Sequence, residues 1–323
     1  MLFMLTLISG TLICVSSSSW FTAWLGLEIN LMSMIPLMLI KLSKENTETS
    51  IKYFLSQAFA SLILILSVMT NFTSNEMMNL ESSEFFLMTA MMIKLGAVPF
   101  HLWFPQVIEL TEWPQCLILF TWQKIAPFVL LSCVMSKMLL MFSFMSALIG
   151  GISGINQTKI KLILTYSSIS HLGWMMAASY LSMNFWAIYF MVYSILSFMI
   201  INSLMKSSKI NFITEMNIWS TSKSTKIFFI MNMLSLGGLP PLLGFMSKLL
   251  VIKLMIQFKM IFLIVNLVLS SLISLYFYCR VIYAAMMINS DKTILNIMKS
   301  KMNPLFITLS ISMNILIPLF MLL

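Results

Sequence analysis

Charged residues are what this sequence has least of. They make up 9% of its 323 residues, against about 25% in soluble domains, whereas 60% of the residues are hydrophobic. Apolar stretches follow one another from end to end, and no hydrophilic block between them is long enough to fold as a soluble domain. The composition therefore excludes a soluble globular protein and predicts an all-α protein that crosses a membrane many times.

Motifs for redox centres and nucleotides are also missing. The four cysteines, Cys14, Cys116, Cys133 and Cys279, lie far apart, without the close spacings that hold iron–sulfur clusters or zinc. No glycine-rich G-x-G-x-x-G turn joins a predicted strand to a helix, as dinucleotide binding requires. We therefore expect no metal site and no cofactor-binding site in this chain.

Basic residues exceed acidic ones, giving a net charge of +9, but they are scattered in short loops rather than clustered for nucleic acid. No nucleic-acid partner is expected. The loops after the even-numbered spans, with their adjacent helix ends, hold thirteen Lys and Arg residues, and the opposite loops hold three. Basic residues mark the inner side of a membrane, so the N-terminus is predicted inside and the C-terminus outside.

A bilayer requires about 20 apolar residues per helix, and by this measure we expect about eleven spans. The first has neither the basic start nor the cleavage site of a signal peptide, so it is predicted to be a retained helix. The predicted spans are 2–19, 21–40, 51–71, 84–110, 115–136, 138–155, 160–180, 183–205, 227–258, 260–285 and 303–322.

Two of these spans, 84–110 and 227–258, carry similar interruptions 141 residues apart: LGAVP from Leu95 and LGGLP from Leu236. Proline lacks the N–H of the helical ladder, and broken helices in matching positions of two halves point to an ion pathway. Five spans in each half would invert the second copy, which predicts repeats at 1–137 and 138–285, followed by a C-terminal loop and helix at 286–323. The predicted breaks are Gly96, Pro99, Pro127, Gly237, Gly238, Pro240 and Pro241.

Four ionisable residues lie deep in the spans: Glu28, Lys94, Lys124 and Lys248. Ten residues separate Glu84 from Lys94, about 15 Å of helix and half of a core about 30 Å thick. Charges at that depth are costly and usually serve transport. The sequence therefore predicts a proton relay made of these four residues and His171, with His101 as a further candidate.

A structural role remains open for each candidate. For Glu28 and Lys94 the alternative is an ion pair that locks two helices together, and for Lys248 it is a side chain that extends to the membrane surface. For His171 the alternative is a structural hydrogen bond to a neighbouring helix. For His101 it is a hydrogen bond to carbonyls that are left free by the break. The number of these residues, their depth and their proximity to the breaks together favour the relay.

Five motifs, in order along the chain, resemble the antiporter-like membrane subunits of respiratory complex I. They are WLGLEIN around Glu28, KLGAVPFHLWFP around Lys94, WQKIAP around Lys124, YSSISHLGWM around His171 and SLGGLPPLLGFMSK around Lys248. The resemblance implies a proton-translocating subunit in the mitochondrial inner membrane, with its N-terminus on the matrix side and its C-terminus on the intermembrane-space side. It also implies that Glu28 pairs with Lys94, that Lys124 is the central lysine, and that Ser247 replaces a proline common in mammalian forms.

The same resemblance implies that NADH, FMN, iron–sulfur clusters and ubiquinone are used by other subunits. The implied partners are other membrane-arm subunits, including the neighbouring chains 4L and 4, and phospholipids such as cardiolipin. Two other functions stay open, a subunit of a multi-subunit cation/proton antiporter and a membrane scaffold that pumps nothing. Eleven spans and a methionine-rich, arginine-poor composition argue against the first, and mid-membrane charges beside helix breaks argue against the second.

Overall fold

The computed structural model describes residues 2–73, 80–134, 136–205, 212–213 and 223–286, together with residues 308, 312 and 314. These residues form helices joined by short connections, with one isolated β-bridge between Lys159 and Phe212. The helices are α1 (Leu2–Val15), α2 (Trp20–Met38), α3 (Lys44–Thr73), α4 (Leu80–Leu95), α5 (Trp103–Leu110), α6 (Trp113–Phe120), α7 (Trp122–Leu131), α8 (Met138–Ile155), α9 (Ile160–Leu181), α10 (Met183–Met205), α11 (Lys223–Gly237), α12 (Leu243–Gln257) and α13 (Ile261–Met286).

Six helical stretches of the described chain are long and apolar enough to cross a bilayer. Large apolar side chains on their outer faces, such as Leu62 and Phe262, are exposed, as expected of a surface that contacts lipid. The described residues thus form an all-helical membrane protein. The six stretches are Trp20–Met38, Lys44–Thr70, Trp113–Leu131, Met138–Ile155, Met183–Met205 and Ile261–Met286.

Helix α3 begins at Lys44, earlier than the predicted start at residue 51. Ser43 accounts for the difference, because its Oγ accepts a hydrogen bond of 3.2 Å from the backbone N–H of Asn46, as an N-cap residue does. The polar stretch after α2 is therefore largely the first part of a helix rather than a loop. The last predicted span, 303–322, lies outside the described residues except at 308, 312 and 314.

The predicted span 115–136 is divided into α6 and α7, and the interruption falls at Thr121. The prediction of a break at Pro127 was wrong, since this proline lies inside α7. A proline removes one ladder hydrogen bond, here the one to the carbonyl of Gln123. The helix nevertheless continues through the proline to Leu131, with Ala126 and Phe128 buried on either side of it.

The chain folds as two compact units, Met1–Ser146 and Ala147–Leu323. In the first, α3 packs against α4 and α5, and α7 contacts α1 and α4. In the second, α9 is buried along most of its length and contacts α10, α12 and α13. Each unit contains one interrupted helix, α4–α5 in the first and α11–α12 in the second.

Candidate functional site

Both interruptions begin with the same turn. A glycine in the left-handed region follows each first half-helix, Gly96 with φ +68° and Gly238 with φ +81°. Two backbone hydrogen bonds close each turn, as in a Schellman motif. They join Gly96 N to Ile93 O (3.1 Å) and Ala97 N to Met92 O (3.0 Å), then Gly238 N to Ser235 O (3.0 Å) and Leu239 N to Leu234 O (3.3 Å).

This geometry changes the match between the two breaks by one residue. The sequence pairs Gly96 with Gly237, but the residue that adopts the equivalent left-handed conformation is Gly238. Gly237 is instead the last residue of α11. The sequence alone does not identify the equivalent residue, because the second break contains two adjacent glycines and either of them fits the motif.

In the first unit, neutral side chains satisfy carbonyls at the end of α4. The indole N–H of Trp103 donates to the carbonyl of Ile93 at 3.0 Å, and Gln57 Nε2 lies 3.5 Å from the carbonyl of Lys94. Trp103 is the first residue of α5, so the second half-helix caps the first. The side chain of Lys94 takes no part in this capping.

Lys94 lies in the last turn of α4 and is 7% exposed. Glu28 on α2 is half-buried and acts on it electrostatically. Their charged groups are nevertheless beyond salt-bridge distance, and the ion pairs among the described residues join Lys41 to Glu112 and Lys52 to Glu48. The structure therefore places Glu28 and Lys94 near one another without a direct contact.

Lys124 is more deeply buried than Lys94 and Lys248, with 2% exposure. It lies in the first turn of α7, directly after the interruption at Thr121, whose carbonyl accepts from the Lys124 backbone N–H at 3.2 Å. Its ammonium lies 5.9 Å from the centre of the Phe104 ring, a cation–π distance. An aromatic face from α5 thus stabilises the charge of Lys124.

Lys94 and Lys124 line one cavity of about 20 Å³. That volume has room for a water molecule, and a buried water also needs two to four polar partners. The lining supplies them, because several polar side chains surround the cavity between the two lysines: Asn30, Tyr53, Gln57 and Gln123. The first unit therefore contains two ionisable amines on a cavity with room for one water molecule, lined by both polar and apolar side chains.

Lys248 lies in α12 and is 5% exposed, so its side chain is enclosed by the protein. Its ammonium donates a hydrogen bond of 2.9 Å to the carbonyl of Gly237 and lies 3.5 Å from the carbonyl of Leu236. These groups end α11, where the helix dipole is negative. The ammonium also lies 5.9 Å from the centre of the Trp174 ring. Lys248 therefore joins the two halves of the second broken helix.

His171 is buried in α9 and belongs to an aromatic polar cluster. Its Nδ1 lies 2.8 Å from the hydroxyl of Tyr189 on α10, and its ring centre is 5.3 Å from that of Tyr193. A smaller cavity of about 10 Å³ is lined by these three residues and by Ser247, the neighbour of Lys248. Within the second unit, His171 and the residue before Lys248 thus share one cavity.

His101 does not share the lysine cavity. His101 lies between α4 and α5, where its carbonyl accepts a hydrogen bond of 3.0 Å from Phe104 N, and it is not among the cavity-lining residues. The polar residues that do line the cavity were missed in the sequence. Asn30 and Gln123 stand inside the motifs WLGLEIN and WQKIAP, but a neutral amide does not stand out against the ionisable residues beside it.

Comparison with known sequences agrees with this architecture. Residues 17–274 match the family described as NADH:quinone oxidoreductase/Mrp antiporter, TM. NADH-ubiquinone oxidoreductase chain 2 of Anopheles gambiae is 43% identical over 298 residues, covering 90% of this chain and 87% of the relative. The protein of the same name from Locusta migratoria is 40% identical over 320 residues, covering 96% and 92%.

Solved structures share the fold at lower sequence identity. A chain of respiratory complex I from Thermus thermophilus with bound Aureothin superposes with a TM-score of 0.84 at 22% identity, covering 96% of this chain and 74% of that one. A chain of the Mrp complex from Dietzia sp. DQ12-45-1b gives 0.80 at 16% identity, covering 89% and 60%. Because the sequence relatives match over most of both chains, this chain belongs to the NADH-ubiquinone oxidoreductase chain 2 family.

Proposed function

We propose that this chain translocates protons as a membrane-arm subunit of respiratory complex I in the mitochondrial inner membrane. Electron transfer from NADH to ubiquinone, carried out by other subunits, drives the transport. The observation that carries the proposal is the cavity shared by the buried amines of Lys94 and Lys124, with several polar side chains in its lining. Two lysines that face one water-sized space have the chemistry to exchange a proton through a single water.

The residues divide the work as follows. Glu28 stabilises the protonated form of Lys94 when the two approach, and their separation releases the Lys94 proton to the cavity. Lys124 receives that proton, with its charge stabilised by the Phe104 ring. His171 and Lys248 continue the path in the second unit, where the hydroxyl of Tyr189 lies 2.8 Å from His171 Nδ1 and the ring of Tyr193 lies beside the imidazole. His101 does not line the cavity, and we assign it no step in this path.

The architecture that we propose has eleven spans, in inverted repeats 1–137 and 138–285 and a terminal segment 286–323. The two matching Schellman turns support the repeat. The distribution of basic residues supports an N-terminus in the matrix and a C-terminus in the intermembrane space. Chemical labelling of residues 41–49 from the intermembrane side would contradict this orientation.

Flavin, iron–sulfur clusters and the sites for NADH and ubiquinone belong, in this proposal, to other subunits. The partners that we propose are the other membrane-arm subunits, including chains 4L and 4, and phospholipids such as cardiolipin. Chain 2 relatives, rather than antiporter subunits, support complex I as the assembly, since they are about 40% identical over most of the chain.

Lys124→Met tests the function. The substitution keeps the length of the side chain and removes the amine, so NADH-driven proton translocation by the assembled complex should be lost while assembly is retained. Exposed Lys137 provides the control, because Lys137→Met removes a lysine outside the cavity and should leave translocation unchanged. Normal pumping by the complex that carries Lys124→Met would refute the proposed path.

A further inference from the structure

Two amide side chains bridge α2 and α7 at the lysine cavity. Asn30 Nδ2 donates to Gln123 Oε1 at 2.9 Å, and Gln123 Nε2 donates to Asn30 Oδ1 at 3.0 Å. Asn30 is 3% exposed, and both residues line the cavity. Each amide offers two N–H groups and two acceptor positions, so the reciprocal pair leaves one donor and one acceptor position on each amide for a water.

The position of the pair along the chain is as informative as its geometry. Asn30 lies two residues after Glu28 on α2, and Gln123 directly precedes Lys124 on α7. The pair therefore fixes the distance between the helix that carries the carboxylate and the helix that carries the receiving amine. Amides do not titrate near neutral pH, so they hold a constant hydrogen-bond pattern while the lysines change charge.

We propose that Asn30 and Gln123 are positioning residues for proton exchange between Lys94 and Lys124. This inference rests on the proposed function. The ammonium of Lys94 donates a proton to the cavity water, which donates one of its own to the neutral amine of Lys124. Lys94 is left neutral, Lys124 becomes charged and the water is regenerated, so atoms and charge balance. The amide pair orients that water and holds the Lys124 end of α7 in place.

Gln123→Met in the assembled complex tests the proposal, because it keeps the side-chain length and removes the amide. We expect the complex to assemble and the rate of NADH-driven proton translocation to fall about tenfold or more, since small misplacements of reacting groups have effects of that order. The midpoint of the pH profile of translocation should also shift, because the surroundings of Lys124 change. If the Asn30–Gln123 pair had a purely structural role, its loss would lower the amount of complex without moving that midpoint.

Gln115→Met is the matched control. Gln115 is another buried glutamine that ties a helix to α2, since its Nε2 donates to the carbonyl of Leu37 at 2.8 Å, but it does not line the cavity. Its substitution should leave the pH midpoint unchanged. The exchange of Asn30→Gln with Gln123→Asn keeps the combined length of the two side chains and should restore both rate and midpoint.

Three outcomes would overturn the inference: an unchanged rate in Gln123→Met, a reduced rate with an unchanged midpoint, or the same midpoint shift in Gln115→Met. If Gln123→Met fails to assemble, Gln123→Asn replaces it under the same criteria, because it keeps the amide and shortens its reach. Lys124→Met separates this inference from the function on which it rests. Lost pumping in Lys124→Met with normal behaviour in the Gln123 variants rejects the positioning role alone.

Discussion

The two broken helices start with the same Schellman turn and then satisfy their freed carbonyls in different ways. In the first unit the donors are neutral, Trp103 from the second half-helix and Gln57 from α3. In the second unit the donor is the ammonium of Lys248. The same backbone turn is therefore followed by a neutral cap in the first unit and by a charged cap in the second. As a result, Lys248 has a structural role that Lys94 does not have.

Lys94 is not required to hold its break together, so it is able to change protonation state without removing a cap. Lys248 carries both roles, because the group that would pass a proton is also the group that ends α11. A charged donor makes the stronger hydrogen bond to a carbonyl. We therefore expect the geometry of the second break to depend on the protonation of Lys248, and that of the first break to be independent of Lys94.

The largest expected effect comes from removing the two lysines separately. Lys248→Met leaves the carbonyl of Gly237 without its donor, which costs about 1–3 kcal/mol, whereas Lys94→Met leaves the Trp103 bond to Ile93 in place. Both variants should lose proton translocation, but Lys248→Met should also lower the thermal stability and amount of the assembled complex. Equal stability in the two variants would contradict the conclusion that Lys248 caps its break whereas Lys94 does not.

The role of Lys94 in the first unit can be tested further through Glu28. If Glu28 and Lys94 form only a structural ion pair, replacing both with Glu28→Gln and Lys94→Met leaves no unpaired charge and should be tolerated better than either single change. We expect the double variant to assemble and to lack proton translocation. Normal pumping by that complex would leave the pair a purely structural role.

A smaller effect is expected from the glycines of the second break. Gly238→Ala places a side chain at φ +81°, which costs about 1–2 kcal/mol, and its Cβ would lie 2.9 Å from the ammonium of Lys248. Gly237→Ala is the control, since its Cβ would come no closer than 3.5 Å to Leu275. Complex assembly and proton translocation should fall in Gly238→Ala and stay near normal in Gly237→Ala. A loss of function in Gly237→Ala but not in Gly238→Ala would indicate that Gly237, rather than Gly238, is the equivalent of Gly96.

Local features were predictable because their causes are local. The glycines and prolines after Leu95 and Leu236 indicated where two helices stop, and the structure ends α4 and α11 there. Pro127 shows where such reasoning fails, since the helix continues through this proline although it removes one ladder hydrogen bond, and the interruption lies at Thr121. The start of α3 was missed because the capping role of Ser43 was hidden in a polar stretch that looked like a loop.

The sequence by itself determined that this protein lies in a membrane and roughly where its helices run, and it showed that three lysines and a glutamate lie within long apolar stretches of the chain. Composition and spacing suffice for this, because a bilayer accepts only long apolar helices and makes every buried charge costly. Only the tertiary structure decided that Lys94 and Lys124 share a cavity, that Asn30 meets Gln123, and that Lys248 caps α11. These contacts join residues far apart in the chain, and their geometry depends on how the helices pack.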